Sequence, residues 1–431
     1  MEKIKNLWSK LWFRILSIVL AVIIVIAAVF GITLFSVWGN EISTVSSFKH
    51  LQERNDANKE GSVYSMNVKG GFYLDKFREN GGASSDKELI GFITKNITKG
   101  LINVNIGESD VNCSAFTATT PSDDVLFARN YDFDKTNVCM TISNNPGKGR
   151  YKSFTTVDLN YVGMDTEKDV SGLMNKLTCI AAAYAPLDGV NEMGLSCGIF
   201  MSYQGDDKTL NESGTVATDQ KDAAKDNFTS TTMQRMILDY CANVDEAVEL
   251  IKSYNLHDSA KSSFHYMIAD ATGKSAILEW LPAENATDKT DNDGSARVLK
   301  ITYNTDSVYD TQRNADDFKY QWITNFIVND HENYYESNDD KPGWDRYEHI
   351  YNRLSATGGT VADENAAMTI LSEVGRRSWN KVHGGSGITV HSVVYNLTQK
   401  TVLWVANENY TDKSAVYQYS FKTNKLTSLA K

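Results

Sequence analysis

Cysteine and proline are scarce in this chain, with five of each among 431 residues. The cysteines (Cys113, Cys139, Cys179, Cys197 and Cys241) are widely spaced, and none forms a CxxC pair or a Cys/His group that would bind zinc. No Gly-rich loop of the phosphate-binding or dinucleotide-binding type occurs either. The sequence therefore predicts neither a metal nor a cofactor. The odd number of cysteines leaves at least one thiol unpaired if the protein lies outside the cytoplasm.

Long runs of a single charge are also missing. The formal net charge of −11 is spread along the chain, which argues against nucleic-acid binding because that needs a basic face. A hydrophobic content of 42% with 11% aromatic residues is typical of a globular protein. The length suits one large domain with attachments, or two domains.

One long apolar run is present, from Ile15 to Trp38, and it contains no charged residue. A bilayer core needs about 20 apolar residues, whereas the apolar region of a cleaved signal peptide has only about 7–15. The preceding tail, 1–14, has four basic residues and one acidic residue. We predict a single-pass anchor over 15–38 with the tail in the cytoplasm and the rest of the chain outside. A cleaved signal peptide on a secreted protein is the alternative.

Residues 39–112 differ in composition from the C-terminal part of the chain, and they are too few for a convincing domain. Lys49 to Lys59 is polar and helix-prone, and Ser84 to Gly100 predicts a helix capped by Ser84 or Ser85. We predict that this segment is a stalk and pro-segment that leads to Cys113.

Residues 113–431 show no internal repeat, and strand patterns dominate. Strands are predicted at Val125–Phe133, Leu177–Tyr184, Gly194–Met201, Phe264–Ala269, Ser275–Trp280, Thr389–Tyr395 and Thr401–Ala406. Helices are predicted at Ser230–Cys241, Val244–Tyr254, Trp344–Leu354 and Asp363–Val374. The polar stretch Gln204–Asp226 predicts a surface loop. Hairpins separated by helices favour an α+β protein with antiparallel sheets flanked by helices.

Two familiar hydrolase motifs do not apply. Gly194 to Gly198 matches GxSxG, but a nucleophile elbow needs a strand, a turn and then a helix. Here the next residues continue the strand pattern as far as Tyr203. No HExxH pair is present for a zinc protease.

Cys113 taken alone is most often a small buried residue. As a nucleophile it would need a base, and no nearby histidine is a good candidate. An N-terminal α-amine, with a pKa of about 7.7–8.0, could serve instead. That chemistry requires cleavage of the bond between Asn112 and Cys113.

Several stretches, in order along 113–431, resemble the choloylglycine hydrolase, or linear amide C–N hydrolase, branch of the N-terminal nucleophile hydrolases. They are Cys113–Phe116, Ala128–Phe133, Asp188–Leu195, His265–Ser275, Gln321–Phe326, Asp345–Tyr347 and His391–Asn396. The resemblance implies a four-layer αββα sandwich of two antiparallel sheets. It also implies that Cys113 is the nucleophile.

The same resemblance implies roles for the other site residues. Arg129 would favour the thiolate, and Asp132 would accept a hydrogen bond from the α-ammonium group and orient it. Asn191 and Asn325 would form the oxyanion hole. Arg346, at the start of a helix, would support charge at the site.

The implied activity is hydrolysis of a linear, non-peptide amide bond in a small N-acyl substrate. Because 112 residues precede the cysteine, the chain resembles the proenzyme members of the family, which implies autoproteolysis before Cys113. Two alternatives remain open: an acyltransferase of the same fold, and an anchored binding or sensor domain without catalysis. The oligomeric state is left open.

Overall fold

A computed structural model describes residues 2–100, 112–203, 216–282, 294–306, 320–329, 335 and 337–430. Within these residues the chain forms nine α-helices and eighteen strands. The helices are α1 (Glu2–Ser46), α2 (Leu74–Glu79), α3 (Asp86–Asn96), α4 (Gly172–Thr178), α5 (Ser230–Tyr240), α6 (Val244–Lys252), α7 (Trp344–Ser355), α8 (Glu364–Glu373) and α9 (Arg376–His383). The first nine strands are β1 (Lys49–Gln52), β2 (Val63–Lys69), β3 (Asn112–Thr119), β4 (Val125–Phe133), β5 (Val138–Asn145), β6 (Ser153–Asp158), β7 (Asp188–Asn191), β8 (Ser196–Met201) and β9 (Asp226–Thr229). The others are β10 (Tyr254–His257), β11 (Phe264–Ala269), β12 (Ser275–Leu281), β13 (Val298–Tyr303), β14 (Trp322–Ile323), β15 (Ile388–Asn396), β16 (Thr401–Ala406), β17 (Val416–Ser420) and β18 (Lys425–Ser428).

Two large sheets organise these strands. The first has nine strands in the order β1-β2-β5-β6-β7-β8-β11-β12-β13, and the second has seven in the order β14-β3-β4-β15-β16-β17-β18. All neighbours in the second sheet are antiparallel, and in the first sheet only β2 and β5 run parallel. The result is a mixed α/β architecture with two main sheets.

Side chains that alternate along β4 show how the layers are arranged. Arg129 and Tyr131 point to the first sheet, where they reach Asp188 of β7 and Asp158 of β6. Asn130, between them, donates to the carbonyl of Leu371 in α8. The two sheets therefore face each other, and α8 lies on the far side of the second sheet, as side-chain alternation in a strand requires. Helix α5 contacts β7 and β8 of the first sheet.

The segment before Cys113 is part of this body. Strand β2 pairs with β5 from Val63 opposite Val138 to Lys69 opposite Asn145, so β1 and β2 extend the first sheet. Leu89 and Ile93 of α3 are buried in the core. Of the predicted segment 39–112, residues 101–111 lie outside the described residues.

Helix α1 is continuous from Glu2 to Ser46. Its stretch Arg14–Thr33 is long and apolar enough to cross a membrane, and among the described residues it is the one helix that is. The C-terminal end of α1 touches the body: Thr44 Oγ1 accepts from the backbone N–H of Lys69 at 3.0 Å, and Glu41 pairs with Lys99 at 2.6 Å.

Most predicted elements are confirmed, including the two hairpins β11–β12 and β15–β16 and the four helices α5 to α8. Ser85 is the cap of α3, accepting a hydrogen bond from the backbone of Glu88. Two predictions are wrong. Lys49–Lys59 does not form an α-helix: Lys49–Gln52 pairs with β2, and only Asp56–Asn58 forms a short 3-10 helix. Leu177–Tyr184 is not a strand: it completes α4 and continues as a short 3-10 helix, since a buried apolar run carries no periodicity to distinguish the two. Most of the predicted loop, 204–215, lies outside the described residues.

Candidate active site

Cys113 lies near the start of β3, on the face that meets the first sheet, and its side chain is 1% exposed. The strand register places it opposite Tyr131 of β4. Its backbone N–H donates to Oδ1 of Asn325 at 2.9 Å. Three separate parts of the chain, β3, β4 and the segment after β14, therefore meet at this residue.

Arg129 provides the positive charge next to the thiol. Its Nη2 lies 3.4 Å from Cys113 Sγ and also donates to the carbonyl of Ile199 at 2.6 Å. Its Nη1 donates to a carboxylate oxygen of Asp188 at 2.5 Å and to the carbonyl of Leu187. The guanidinium is completely buried between the two sheets, so these partners fix its position.

Asp188, on β7 of the first sheet, is held by three side chains of the second sheet. The oxygen that accepts from Arg129 also lies 2.8 Å from Nε2 of His391, and the other oxygen accepts from the hydroxyl of Tyr395 at 2.5 Å. Burial alone would raise the pKa of Asp188, but His391 and Arg129 together lower it to about 2. A buried carboxylate with this set of partners stays ionised and holds Arg129 against the thiol.

Arg346 approaches Cys113 from the other side. One guanidinium nitrogen donates to Asp132 at 2.8 Å and to the backbone carbonyl of Cys113 at 3.2 Å. The other nitrogen donates to Oδ1 of Asn325 at 3.1 Å. Although Arg346 sits in the first turn of α7, it is buried and faces the site, as the resemblance predicted. Asp132 also accepts from the hydroxyl of Thr389 at 2.6 Å.

Burial has the largest effect on the pKa of the Cys113 thiol. It raises the pKa of Cys113, and the neighbouring charge of Arg129 opposes this by lowering it, while the charge of Asp132 raises it further. Burial likewise raises the pKa of Asp132, and the charge of Arg346 works against it. The net effect is a raised pKa, which favours the neutral thiol in the uncleaved chain.

Asn191 does not join this group. Its amide nitrogen donates to the carbonyls of Leu238 and Cys241, and its oxygen accepts from the backbone N–H groups of Met193 and Leu195. These bonds occupy both the amide nitrogen and the amide oxygen of the side chain. They tie it to its own turn and to the C-terminal end of α5. The geometry does not support the predicted oxyanion role for this side chain, and this part of the expectation is corrected.

The turn that follows Asn191 requires glycine at position 194. Gly194 adopts a φ of +89°, and a Cβ at this position would lie 2.3 Å from the carbonyl oxygen of Leu397. Only glycine fits this close approach.

Arg129, whose Nη2 lies 3.4 Å from Cys113 Sγ, also lines an apolar cavity together with Tyr131. Its walls include residues of β8, α5 and α3.

The sequence interpretation did not assign roles to Asp188, Thr389 or His391, although it quoted two of them within motifs. Asp188 falls between the predicted strands Leu177–Tyr184 and Gly194–Met201, so the chain gave no sign that this aspartate is buried and requires a cation or several donors. Which cation it meets depends on how the two sheets face each other, and that is not visible in the chain.

A family model described as "Acyl-coenzyme A:6-aminopenicillanic acid acyl-transferase" matches residues 119–410. This range is more than half of the chain and contains the predicted site residues except Cys113, which lies just before it. A search of curated proteins found no match.

Solved structures similar to the chain include three amide hydrolases. A conjugated bile acid hydrolase from Clostridium perfringens is 14% identical over 73% of this chain and 96% of its own, with a TM-score of 0.44. Penicillin V acylase from Agrobacterium tumefaciens is 15% identical over 72% and 86%, with a TM-score of 0.42. An N-acylethanolamine-hydrolyzing acid amidase ortholog from Caenorhabditis elegans is 14% identical over 66% and 93%, with a TM-score of 0.38. The family assignment rests on the family match.

Proposed function

Since the chain belongs to the acyl-coenzyme A:6-aminopenicillanic acid acyl-transferase family, we propose that it is an N-terminal nucleophile amidase that cleaves the linear amide bond of an N-acyl substrate. Membership confirms the predicted place of the chain among the N-terminal nucleophile hydrolases. The observation that carries the proposal is the convergence on Cys113 of Arg129 at its sulfur, Asn325 at its nitrogen and Arg346 at its carbonyl.

Activation requires hydrolysis of the peptide bond between Asn112 and Cys113. The nitrogen that would become the free α-amine already lies 2.9 Å from Oδ1 of Asn325. The same oxygen accepts from Arg346, which in turn is paired with Asp132. A new ammonium group at this point would therefore find an acceptor in place and a carboxylate close by.

In the reaction, the free α-amine takes the proton from the Cys113 thiol, and the sulfur attacks the amide carbonyl of the substrate. Asn325 is the proposed side-chain donor to the oxyanion through its amide nitrogen, which here also donates to the carbonyl of Met201 at 3.1 Å. Loss of one such donor typically costs about 10²–10³ in rate. The α-ammonium group then returns the proton to the leaving amine as the C–N bond breaks. Water, deprotonated by the α-amine, cleaves the thioester, and the acid product and free thiol are released.

Arg129 supports this chemistry by its charge. A guanidinium next to sulfur favours the thiolate over the thiol. Asp188 is the positioning residue that keeps the guanidinium there, through the hydrogen bond to its Nη1.

An acyltransferase is the second candidate, because the matching family model is described by an acyl-transfer activity. The thioester would then pass to an amine instead of water. Adding a primary amine to the assay separates the two: a transferase forms a new amide at the expense of the acid product, and a hydrolase forms the acid regardless.

The proposed fold is the four-layer sandwich of this enzyme class, held to a membrane by the N-terminal helix with the catalytic part outside the cytoplasm. The two facing sheets, with α8 behind one of them, support the layers. The candidate span Arg14–Thr33 and the basic residues before it support the anchor. In this proposal residues 39–112 are the pro-segment and 113–431 the catalytic domain.

Amide hydrolysis by the purified full-length chain tests the proposal. A panel of N-acyl amides with a common chromogenic amine should release the amine with the wild-type chain and not with Cys113→Ala. Turnover by Cys113→Ala at the wild-type rate would exclude this cysteine as the nucleophile.

A further inference from the structure

Asn325, the proposed donor to the oxyanion, lies in a segment that forms neither a helix nor a strand. The two-residue strand β14 precedes it, and the segment continues from 324 to 329 without regular structure. A group that stabilises an oxyanion must be held within about 0.5 Å of its productive position. This segment therefore needs support from other elements of the fold.

Two buried side chains of the first sheet hold the segment on either side of the oxyanion donor. Nε2 of His265, on β11, lies 2.8 Å from the carbonyl oxygen of Thr324, the residue just before that donor. Glu279, on β12, accepts from two backbone N–H groups that follow it. Oε1 accepts from Val328 at 2.7 Å, and Oε2 accepts from Asn329 at 3.2 Å.

The same hydrogen bonds show where the protons of the pair lie. Both oxygens of Glu279 accept from backbone N–H groups, which is the pattern of an ionised carboxylate. Nδ1 of His265 lies 3.1 Å from Oε1 of this carboxylate, so Nδ1 carries a hydrogen. Nε2 faces the carbonyl oxygen of Thr324, which can only accept, so Nε2 carries a hydrogen as well. Two N–H groups on one ring make His265 an imidazolium cation.

Burial makes this charge assignment consistent on both sides of the pair. The side chains of His265 and Glu279 are 0% and 1% exposed, and within the described part of the chain the one ion pair of Glu279 is with His265. A buried carboxylate requires a cation or several donors, and here it has both. The ring of Phe200 packs edge-on against His265 with 6.0 Å between centroids. Because water does not reach the pair, the two protein acceptors are the partners of the ring.

We propose that His265 and Glu279 form a buried imidazolium–carboxylate pair that fixes the segment 324–329 and thereby positions Asn325 for the oxyanion. The inference rests on the proposed amidase function and adds the positioning residues of its oxyanion donor. Because the imidazolium donates to both Glu279 and Thr324, loss of either N–H group releases one of these two contacts.

Nitrogen-15 NMR of the histidine side chains in the full-length wild-type chain tests the charge assignment at neutral pH. His265 is identified by Overhauser contacts to the ring hydrogens of Phe200. Both of its ring nitrogens should carry a bonded hydrogen and show the chemical shifts of an imidazolium. One protonated and one bare nitrogen would overturn the assignment. The measurement needs no substrate, so its result does not depend on whether the chain hydrolyses an amide.

Glu279→Gln tests the positioning role with a side chain of the same shape. An amide has one accepting oxygen and one donating nitrogen, so it cannot accept from both backbone N–H groups, and it leaves the imidazolium without its anion. For the chromogenic amide that wild type hydrolyses fastest, kcat per cleaved chain should fall about 10²-fold, the usual effect of a misplacement of about 1 Å. KM should be unchanged, because the oxyanion is absent from the bound substrate.

Glu373→Gln is the matched control, since it makes the same substitution in a partly exposed pair in which Glu373 Oε2 lies 3.0 Å from Nε2 of His349. It should keep kcat within about twofold of wild type. In an Asn325→Ala background, Glu279→Gln should cause no further loss of kcat, because its effect acts through the missing side chain. Wild-type kcat in Glu279→Gln, or the same loss in both backgrounds, would overturn the positioning role while the amidase function stands.

The side-chain amide signals of Asn325 report its position without turnover. In NMR spectra of the full-length chain they should move in Glu279→Gln and stay in place in Glu373→Gln. Signals at their wild-type positions in Glu279→Gln would contradict the inference even if no amide is hydrolysed.

Discussion

Two ion pairs lie at Cys113, so the formal charges of their four side chains sum to zero. Arg129 and Arg346 carry the positive charges, and each is paired with a buried aspartate, Asp188 and Asp132 respectively. The pairs differ in what they touch: Arg129 meets the sulfur, whereas Arg346 meets the backbone carbonyl. One pair therefore controls the thiol, and the other fixes the backbone of the nucleophile.

Loss of the Arg129 charge should make the thiol less acidic. We expect Arg129→Gln to raise the pKa of Cys113, because the charge of the guanidinium next to the sulfur lowers it. Arg129→Lys should keep much of the charge effect while losing the forked contacts to Asp188 and Ile199. The rate of alkylation of Cys113 by iodoacetamide as a function of pH measures this. The same titration curve for wild type and Arg129→Gln would contradict the assignment.

Arg346 should matter for stability far more than a neighbouring arginine on the same helix. Arg346→Gln leaves Asp132 buried without its cation, which typically costs about 3–5 kcal/mol. Arg353→Gln removes a half-exposed pair with Glu373, for which about 0–1 kcal/mol is expected. Urea unfolding of the two variants compares these free energies. Equal losses would show that the buried pair has no special role.

Most of the site residues could be predicted from the sequence, but only through the family resemblance. Cys113, Arg129, Asp132, Asn325 and Arg346 are brought together as that resemblance implied. A helical arginine is ordinarily solvated, so the burial of Arg346 could not be read from its surroundings in the chain. Asn191 was assigned to the wrong task because its partners, the carbonyls at the end of α5, are about 50 residues away and are set by tertiary packing.

Among the elements, β2 shows that the segment before Cys113 belongs to the folded body, since it pairs with β5 of the first sheet. Its burial pattern shows no alternation, because Val63 to Met66 are all buried between neighbouring strands. Without a period of two, and with a parallel partner as distant as β5, the pairing could not be predicted. The strands of the two hairpins were predicted correctly because each pair is joined by a short turn.

This pairing predicts that the cleaved pieces stay together. After cleavage before Cys113, the N-terminal piece should co-elute with the C-terminal piece in size-exclusion chromatography under native conditions and separate only in denaturant. Met66→Pro removes a backbone N–H from β2 and should promote separation. A C-terminal fragment that elutes alone from the wild-type preparation would contradict the role of β2.

For the whole molecule, the buried Asp158 and the partly buried Asp258, neither of which has a salt bridge among the described residues, predict a dependence of stability on pH. Burial raises the pKa of Asp158 to about 6 and that of Asp258 to about 7, and their partners are hydroxyl and backbone groups. The folded state therefore binds more protons than the unfolded state from about pH 4 to pH 7. The free energy of unfolding should fall as pH rises through this window.

Asp258→Asn tests that dependence, because an amide approximates the hydrogen bonding of the protonated acid. The free energy of unfolding of the variant, minus that of wild type, should increase by on the order of 4 kcal/mol from pH 4 to pH 8. Urea unfolding across this range measures the difference, with Glu249→Gln on exposed α6 surface as the control. A constant difference between Asp258→Asn and wild type at every pH would rule out the raised pKa.

The central claim is that Cys113 becomes the N-terminal residue of the active enzyme, and intact-mass spectrometry of the purified full-length chain tests it most directly. We predict two species, one of them a fragment whose mass corresponds to residues 113–431, and a single uncleaved species for Cys113→Ala. An active preparation that contains only the uncleaved chain, or a fragment beginning at another residue, would contradict it.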